Sequence, residues 1–320
     1  MCIRDSTPSR VQIMTGIYNV RNYTNFGILP ETETTFANLL QDAGYKTCVV
    51  GKWQLKGDPG HFGFAEHCLW QLDRVPERYP NPGLEINGQR VDFRDGQYGP
   101  DIVSDYACDF IRQNKDGPFL LYYPMILTHC PFFPTPDSAD WDPDSKGSPT
   151  YKGDARYFPD MVAYMDKIVG KLVETLEAAG VRDNTLILFT GDNGTDQPVV
   201  SKMGDVEVAG GKKMMTDAGT RAVLIANWPA RTAAGQVSSD LIDFSDFLPT
   251  LCDAAQVKVP QSLTLDGVSF LPQLTGKRGN PREWVYCWFS RNGGARGKQW
   301  ARTQQFKLYG DGRFFDVPDD

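Results

Sequence analysis

Five short stretches carry side chains able to do chemistry beside residues that make turns. Ser6-Thr7-Pro8-Ser9-Arg10 offers a small nucleophile-type residue, a proline that fixes a turn and an arginine held close by. Gly51-Lys52-Trp53-Gln54 and Gly210-Gly211-Lys212 each supply a cation, the second with Lys213 beside it. Thr128-His129-Cys130-Pro131-Phe132 supplies an imidazole. Thr190-Gly191-Asp192-Asn193-Gly194 sets two hard oxygen donors side by side, as Ca2+ or Mg2+ prefers, although Asp-Asn-Gly is also a hairpin signal. Any one lysine of this kind is ordinarily a solvated residue. The five together in one chain are what call for explanation.

The elements that must position these residues follow from patterning. Residues 35–44 have a threonine start signal, apolar residues at helical spacing and a glycine stop. Residues 45–51 read as a buried strand, with Lys52 at its carboxyl end, where open α/β sheets bind ligands. Residues 18–30 read as a polar loop, and 56–100, rich in Gly, Pro and aromatics, as a long excursion over the surface that helps shape a binding site. A helix over 101–113 leads to a buried strand over 118–126 that ends at Thr128 and His129. After a proline-rich loop at 131–150, Met161, Met165, Ile168, Leu172 and Leu176 keep one face of a long helix that stops at Gly180. A third strand, 185–190, delivers Asp192 and Asn193. A fourth covers 222–226, and a further helix 244–255. Strand alternating with helix implies an α/β fold, with a mainly parallel sheet flanked by helices. Past Thr275, short antiparallel strands at 284–289, 299–303, 306–309 and 313–315 predict a small C-terminal sheet. The expected division is a catalytic domain over 1–275 and a subdomain from 276 to 320.

At 320 residues the chain can bury a large core. Its net charge of −7 argues against non-specific nucleic-acid binding, so an anionic substrate needs a local basic site on an acidic surface. No apolar run is long enough for a membrane span. The seven cysteines, at 2, 48, 68, 108, 130, 252 and 287, form no CxxC pair, which disfavours a zinc ribbon or thioredoxin-like site and leaves buried free thiols as the reading.

In this order the five stretches resemble the active-site elements of the formylglycine-dependent sulfatases, arylsulfatase-like members of the alkaline-phosphatase-like superfamily. The resemblance runs from Ser6 to the end of the chain and implies that fold. It also implies a sulfuric ester hydrolase whose nucleophile is the hydrate of a formylglycine made from residue 6, polarised by a divalent metal. On this resemblance Ser6 is the precursor position and a metal ligand, with Asp192 and Asn193 as further ligands of Ca2+ or Mg2+. Arg10 holds the hydrated aldehyde and the neighbouring carboxylates. Lys52 and Lys212 give fixed charge to the sulfate oxygens. His129, in a match to the family's H-x-P-F, binds a sulfate oxygen or protonates the leaving alkoxide. Gln54 stands where the family usually has histidine; it can hydrogen-bond substrate but takes no proton at neutral pH. Asp217, in TDAGTR where the family has YEGGIR, is a milder departure. His61 and His67 are assigned nothing.

The implied partners are a sulfated small molecule or glycan and a formylglycine-generating maturation enzyme. The implied location is periplasmic or secreted, and no signal peptide is present. The chain is expected to be a fragment lacking both ends. MCIRDS resembles translated adaptor sequence at a position where the family has Cys or less often Ser, and the closing FFDVPDD is similar to a stretch that the family continues past. Paired aspartates that complete the family's metal site are then missing, and weak hydrolysis is expected. Two alternatives remain. One is a phosphonate or phosphodiester hydrolase of the same superfamily. The other is a pseudosulfatase that binds sulfated glycans without cleaving them. The loops at 56–100 and 131–157 set the substrate; aromatics there, such as Trp70, Phe132 and Trp141, could stack on a sugar ring, although packing is the commoner use of such residues.

Overall fold

A computed structural model describes residues 6–71, 78–294 and 296–317. The chain divides into two compact units, one made of 1–43 with 183–320, the other of 44–182.

The first unit begins with helix α1, Ser6–Thr15, every residue of which is buried. The expected turn at Ser6–Arg10 is therefore helical. Pro8 is tolerated because it sits in the first turn, where backbone N–H groups have no partner within the helix. A one-turn helix α2, Asn19–Asn22, interrupts the predicted loop. Helix α3, Phe36–Asp42, begins as its sequence signal requires. Thr35 caps it by accepting from the Ala37 and Asn38 amides, and Asn38 accepts from the Thr35 amide in return.

The second unit holds strands β1, Lys46–Gly51, β2, Glu66–Trp70, β3, Gly83–Ile86, and β4, Gln89–Asp92. Helix α4, Gly99–Asn114, strand β5, Phe119–Tyr122, and helix α5, Phe158–Ala178, follow. The sheet order is β4-β3-β2-β1-β5. β1 lies parallel to both β2 and β5, and β3 and β4 continue the sheet antiparallel. The positive φ of Asn87 and Gly88, 47° and 81°, makes the β3–β4 turn, as an Asn-Gly hairpin prefers. The surface excursion expected over 56–100 is thus corrected. Its middle enters the sheet, with His67, Cys68, Leu69 and Trp70 buried on β2. Five residues opening on Glu66 and His67 give too short and too polar a run for periodicity to reveal a buried strand. Met161, Ile168 and Leu176 are buried on α5, together with Tyr164 and Thr175.

The first unit resumes with β6, Ile187–Thr190, an exposed hairpin of β7, Val200–Met203, and β8, Val206–Ala209, a one-turn helix α6, Asp217–Thr220, and β9, Leu224–Asn227. β9 runs antiparallel to β6. A parallel return ordinarily needs a substantial helical crossover, and among the described residues the link between these strands holds only α6 and the hairpin. Helices α7, Phe247–Ala254, and α8, Leu271–Leu274, precede four antiparallel strands. These are β10, Val285–Phe289, β11, Lys298–Arg302, β12, Phe306–Tyr309, and β13, Phe314–Asp316, paired in chain order as the turn pattern predicts.

The six described cysteines are free and buried, and burial pushes the Cys252 thiol up to about 11. No described helix is long and apolar enough to cross a membrane.

Candidate active site

Helix α1 carries the predicted residues Ser6 and Arg10 of the first unit. It is rich in polar residues and has no solvent-facing side, so its polar groups must find partners inside the protein. Asn19 Nδ2 donates to the Pro8 carbonyl at 3.0 Å. Gln12 Nε2 donates to Asp243, and Asn22 Nδ2 to Thr15 Oγ1 at 3.1 Å. Behind this helix lies a buried ion pair. Arg282 Nε donates to both carboxylate oxygens of Asp246 at 2.8 Å, and its other nitrogens reach Tyr18 Oη at 3.0 Å and the Asp266 carbonyl at 2.7 Å. Ser6 and Arg10, both 3% exposed, lie on this same helix.

Ser9 Oγ, on the same helix, donates to the Asp192 carbonyl at 2.6 Å. α1 and the Asp-Asn-Gly loop are therefore joined directly. Glycines fix the rest of that loop. A Cβ on Gly194 would lie 1.9 Å from the Ala218 carbonyl oxygen, and one on Gly211 would lie 2.5 Å from Ala218 Cβ. Only bare backbone allows the 192–194, 210–212 and 217–220 segments to touch. Gly194 N donates to Gly219 O at 3.0 Å, and Lys212 N to Thr195 O at 2.9 Å. This brings Ser9, Asp192, Asn193 and Lys212 into one backbone framework.

Two observations bear on what the framework holds. Lys212 is 8% exposed as a residue, and its ammonium makes no hydrogen bond or ion pair among the described residues. Asn193 Oδ1 is buried with no partner. A carboxylate and an unsatisfied amide oxygen, side by side, are the donor types a hard divalent cation takes. They fit as two ligands of such an ion. Among the described residues no group of three or more His, Cys, Asp or Glu could hold a metal.

Asp217, at the start of α6, is held from the C-terminal sheet by Arg302 and Lys307. Burial raises its pKa, but the Arg302 hydrogen bond and charge, with the Lys307 charge, outweigh burial and leave it below the usual carboxylate range. A depressed carboxyl contributes stability that is present above its unfolded pKa of about 3.9 and is lost as pH falls through the lower folded value. The thermal midpoint of Asp217→Asn should therefore lie below that of the parent at neutral pH, and the gap should close below about pH 4. A gap that is constant from neutral pH to pH 3 would contradict this.

The second unit carries the other predicted residues. Gly51 adopts φ 103°, and a Cβ there would lie 2.4 Å from the Pro124 carbonyl oxygen. That close approach lets Lys52 N donate to Pro124 O at 2.8 Å, which fixes Lys52 at the end of β1. Gln54 has φ 46°, and its Oε1 is buried without a partner. His129 is gripped through its main chain by the Tyr79 hydroxyl and through its ring by Arg78. One Arg78 nitrogen lies 2.8 Å from His129 Nδ1 and also donates to the Cys130 carbonyl. His129 Nδ1 therefore stands between a donor, the Arg78 guanidinium, and an acceptor, the Cys130 carbonyl oxygen at 2.6 Å. Sequence reasoning missed Arg78, which stands in no motif. His67 is structural, accepting from Gly88 N at 3.2 Å and facing Glu85 at 3.4 Å.

A sequence model of the family described as Sulfatase matches residues 2–257. A second, described as N-sulphoglucosamine sulphohydrolase, C-terminal, matches 210–317. The chain is 30% identical to an uncharacterized sulfatase, YdeN, of Escherichia coli (strain K12), over 87% of this chain and 54% of that protein. It is 28% identical to N-acetylgalactosamine-6-sulfatase of Homo sapiens, over 84% of this chain and 56% of that protein. It thus spans about half the length of these relatives. The solved structure of BT4656 in complex with its substrate D-glucosamine-2-N,6-O-disulfate superposes with TM-score 0.76 at 22% identity, covering 99% of this chain and 82% of that one. That likeness establishes a shared fold.

Proposed function

The chain belongs to the sulfatase family, and from that premise we propose that it hydrolyses a sulfate monoester. The observation that carries this reading is Lys212. A nearly buried cation with no counterion is costly, and an anionic ligand removes the cost. A sulfate ester spreads one negative charge over three oxygens, which suits fixed ammonium groups. Lys212 and Lys52 are assigned to those oxygens. His129 binds a sulfate oxygen or donates a proton to the leaving alkoxide. Arg10 holds the group at residue 6, the formylglycine precursor position and itself a metal ligand. Asp192 and Asn193 hold Ca2+ or Mg2+ with it. When present, the formylglycine hydrate supplies the attacking hydroxyl and the metal polarises it.

For the substrate we take a sulfated amino sugar, because relatives and structural neighbours include proteins named for such molecules. A formylglycine-generating enzyme is then a required partner, and a periplasmic or secreted location follows the family. Gln54 favours a second reading. Its buried oxygen can hydrogen-bond a ligand but cannot take a proton, as a protein that binds sulfated glycans without cleaving them requires.

The test offers the full chain an aryl sulfate, a 6-O-sulfated hexosamine and the matching aryl phosphonate, with and without added Ca2+ or Mg2+. Sulfate release that needs metal is the expected result. Cleavage of the phosphonate alone would move the assignment to the phosphonate hydrolases. Binding of the sulfated sugar without release would establish the non-catalytic reading.

A further inference from the structure

Lys307 has 0% of its side chain exposed, an unusual place for a lysine. It lies on β12, directly opposite Arg302 on β11. Like charges facing one another across an antiparallel pair repel, so this pair needs an anion from elsewhere. Asp217 supplies it, dividing its two oxygens between the cations. Arg302 reaches Oδ2 at 2.5 Å and Lys307 Nζ reaches Oδ1 at 3.2 Å. Lys307 Nζ also donates to the Met215 carbonyl at 2.8 Å. The Trp300 and Tyr309 rings, with centroids 4.8 and 5.1 Å from Nζ, hold the ammonium in place.

Met215 and Asp217 lie three and five residues beyond Lys212. The chain between is stapled by Met214 N to Gly211 O at 2.8 Å, and Gly219 packs its bare Cα against the Gly211 and Met214 carbonyls. A rigid path therefore leads from the C-terminal sheet to the backbone of Lys212. We infer that Lys307 is a positioning residue: by holding Met215 and Asp217 it fixes the segment that presents Lys212 to the substrate anion. This rests on the sulfatase reading for the role of Lys212, but the mechanical link does not.

The experiment compares the full chain with Lys307→Met, which keeps the length of the side chain and removes its charge. In Lys307→Met, hydrogen exchange should quicken in the peptide spanning 206–221 while β10 and β11 stay protected. The kcat/KM for sulfate release should fall about tenfold through displacement of Lys212. Added to Lys212→Ala, the same change should cost nothing further, because both act through one group. A merely structural lysine would instead lower the thermal midpoint and leave both the local exchange pattern and kcat/KM of the folded protein unchanged, which overturns the inference. So would a loss additive with Lys212→Ala. If the parent protein releases no sulfate, the exchange data decide alone, and the functional reading fails without the positioning role. If Lys307→Met does not fold, Asp217→Asn must reproduce the quickened exchange over 206–221; protection equal to the parent's then refutes the link.

Discussion

Lys212→Ala is expected to lower kcat/KM for a sulfate ester by about 10^2–10^3-fold, the loss found when one preorganised electrostatic group is removed from a transition state. The same substitution should leave the thermal midpoint unchanged or raise it. The two effects have one cause. Lys212 is 8% exposed as a residue, and its ammonium has no counterion among the described residues. Function keeps a group there that folding alone would discard. Steady-state kinetics and a melting curve on one preparation check both halves. An activity loss accompanied by a fall in midpoint would mean that Lys212 is a structural lysine.

Arg282→Leu should cost roughly 3–5 kcal/mol of folding stability, since removing one member of a buried ion pair strands the other. The pair is nearly sealed from solvent, at 9% exposure for Arg282 and 2% for Asp246. Arg282 also holds the Tyr18 hydroxyl and the Asp266 carbonyl, so its loss leaves several acceptors without a donor. Chemical denaturation measures the effect. The double variant Arg282→Leu with Asp246→Leu should recover part of the loss, because no charge is then left unpaired. A double variant less stable than Arg282→Leu would show that the hydrogen bonds outweigh the charges.

The predicted residues of the two units were unequally legible. Lys52 and His129 follow local rules: apolar runs ending in a charged residue, with the fold class set by strand and helix in alternation. The four C-terminal strands are legible for the same reason, since each is a short β-rich run closed by turn residues. Helix α1 was not. Its apolar residues form no stripe, because it is surrounded by protein, and its helicity rests on partners such as Asp243 and Asp192 far along the chain. Arg78 and Lys307 escaped for a related reason. Neither has a motif, and each matters only through a residue more than 50 positions away, His129 for one and Asp217 for the other. β2 was missed because a buried five-residue strand opening on charged and polar residues carries no period.

The reliance of α1 on distant partners also has a meaning in time. Gln12 and its acceptor Asp243 are 231 residues apart. At about 5–20 residues per second of synthesis, the partner reaches the ribosome exit some tens of seconds after the helix has left it. Until then the segment has no apolar face to bury and cannot settle into its final place. Ser6, 3% exposed in the folded chain, shares that wait, since it lies on the same helix.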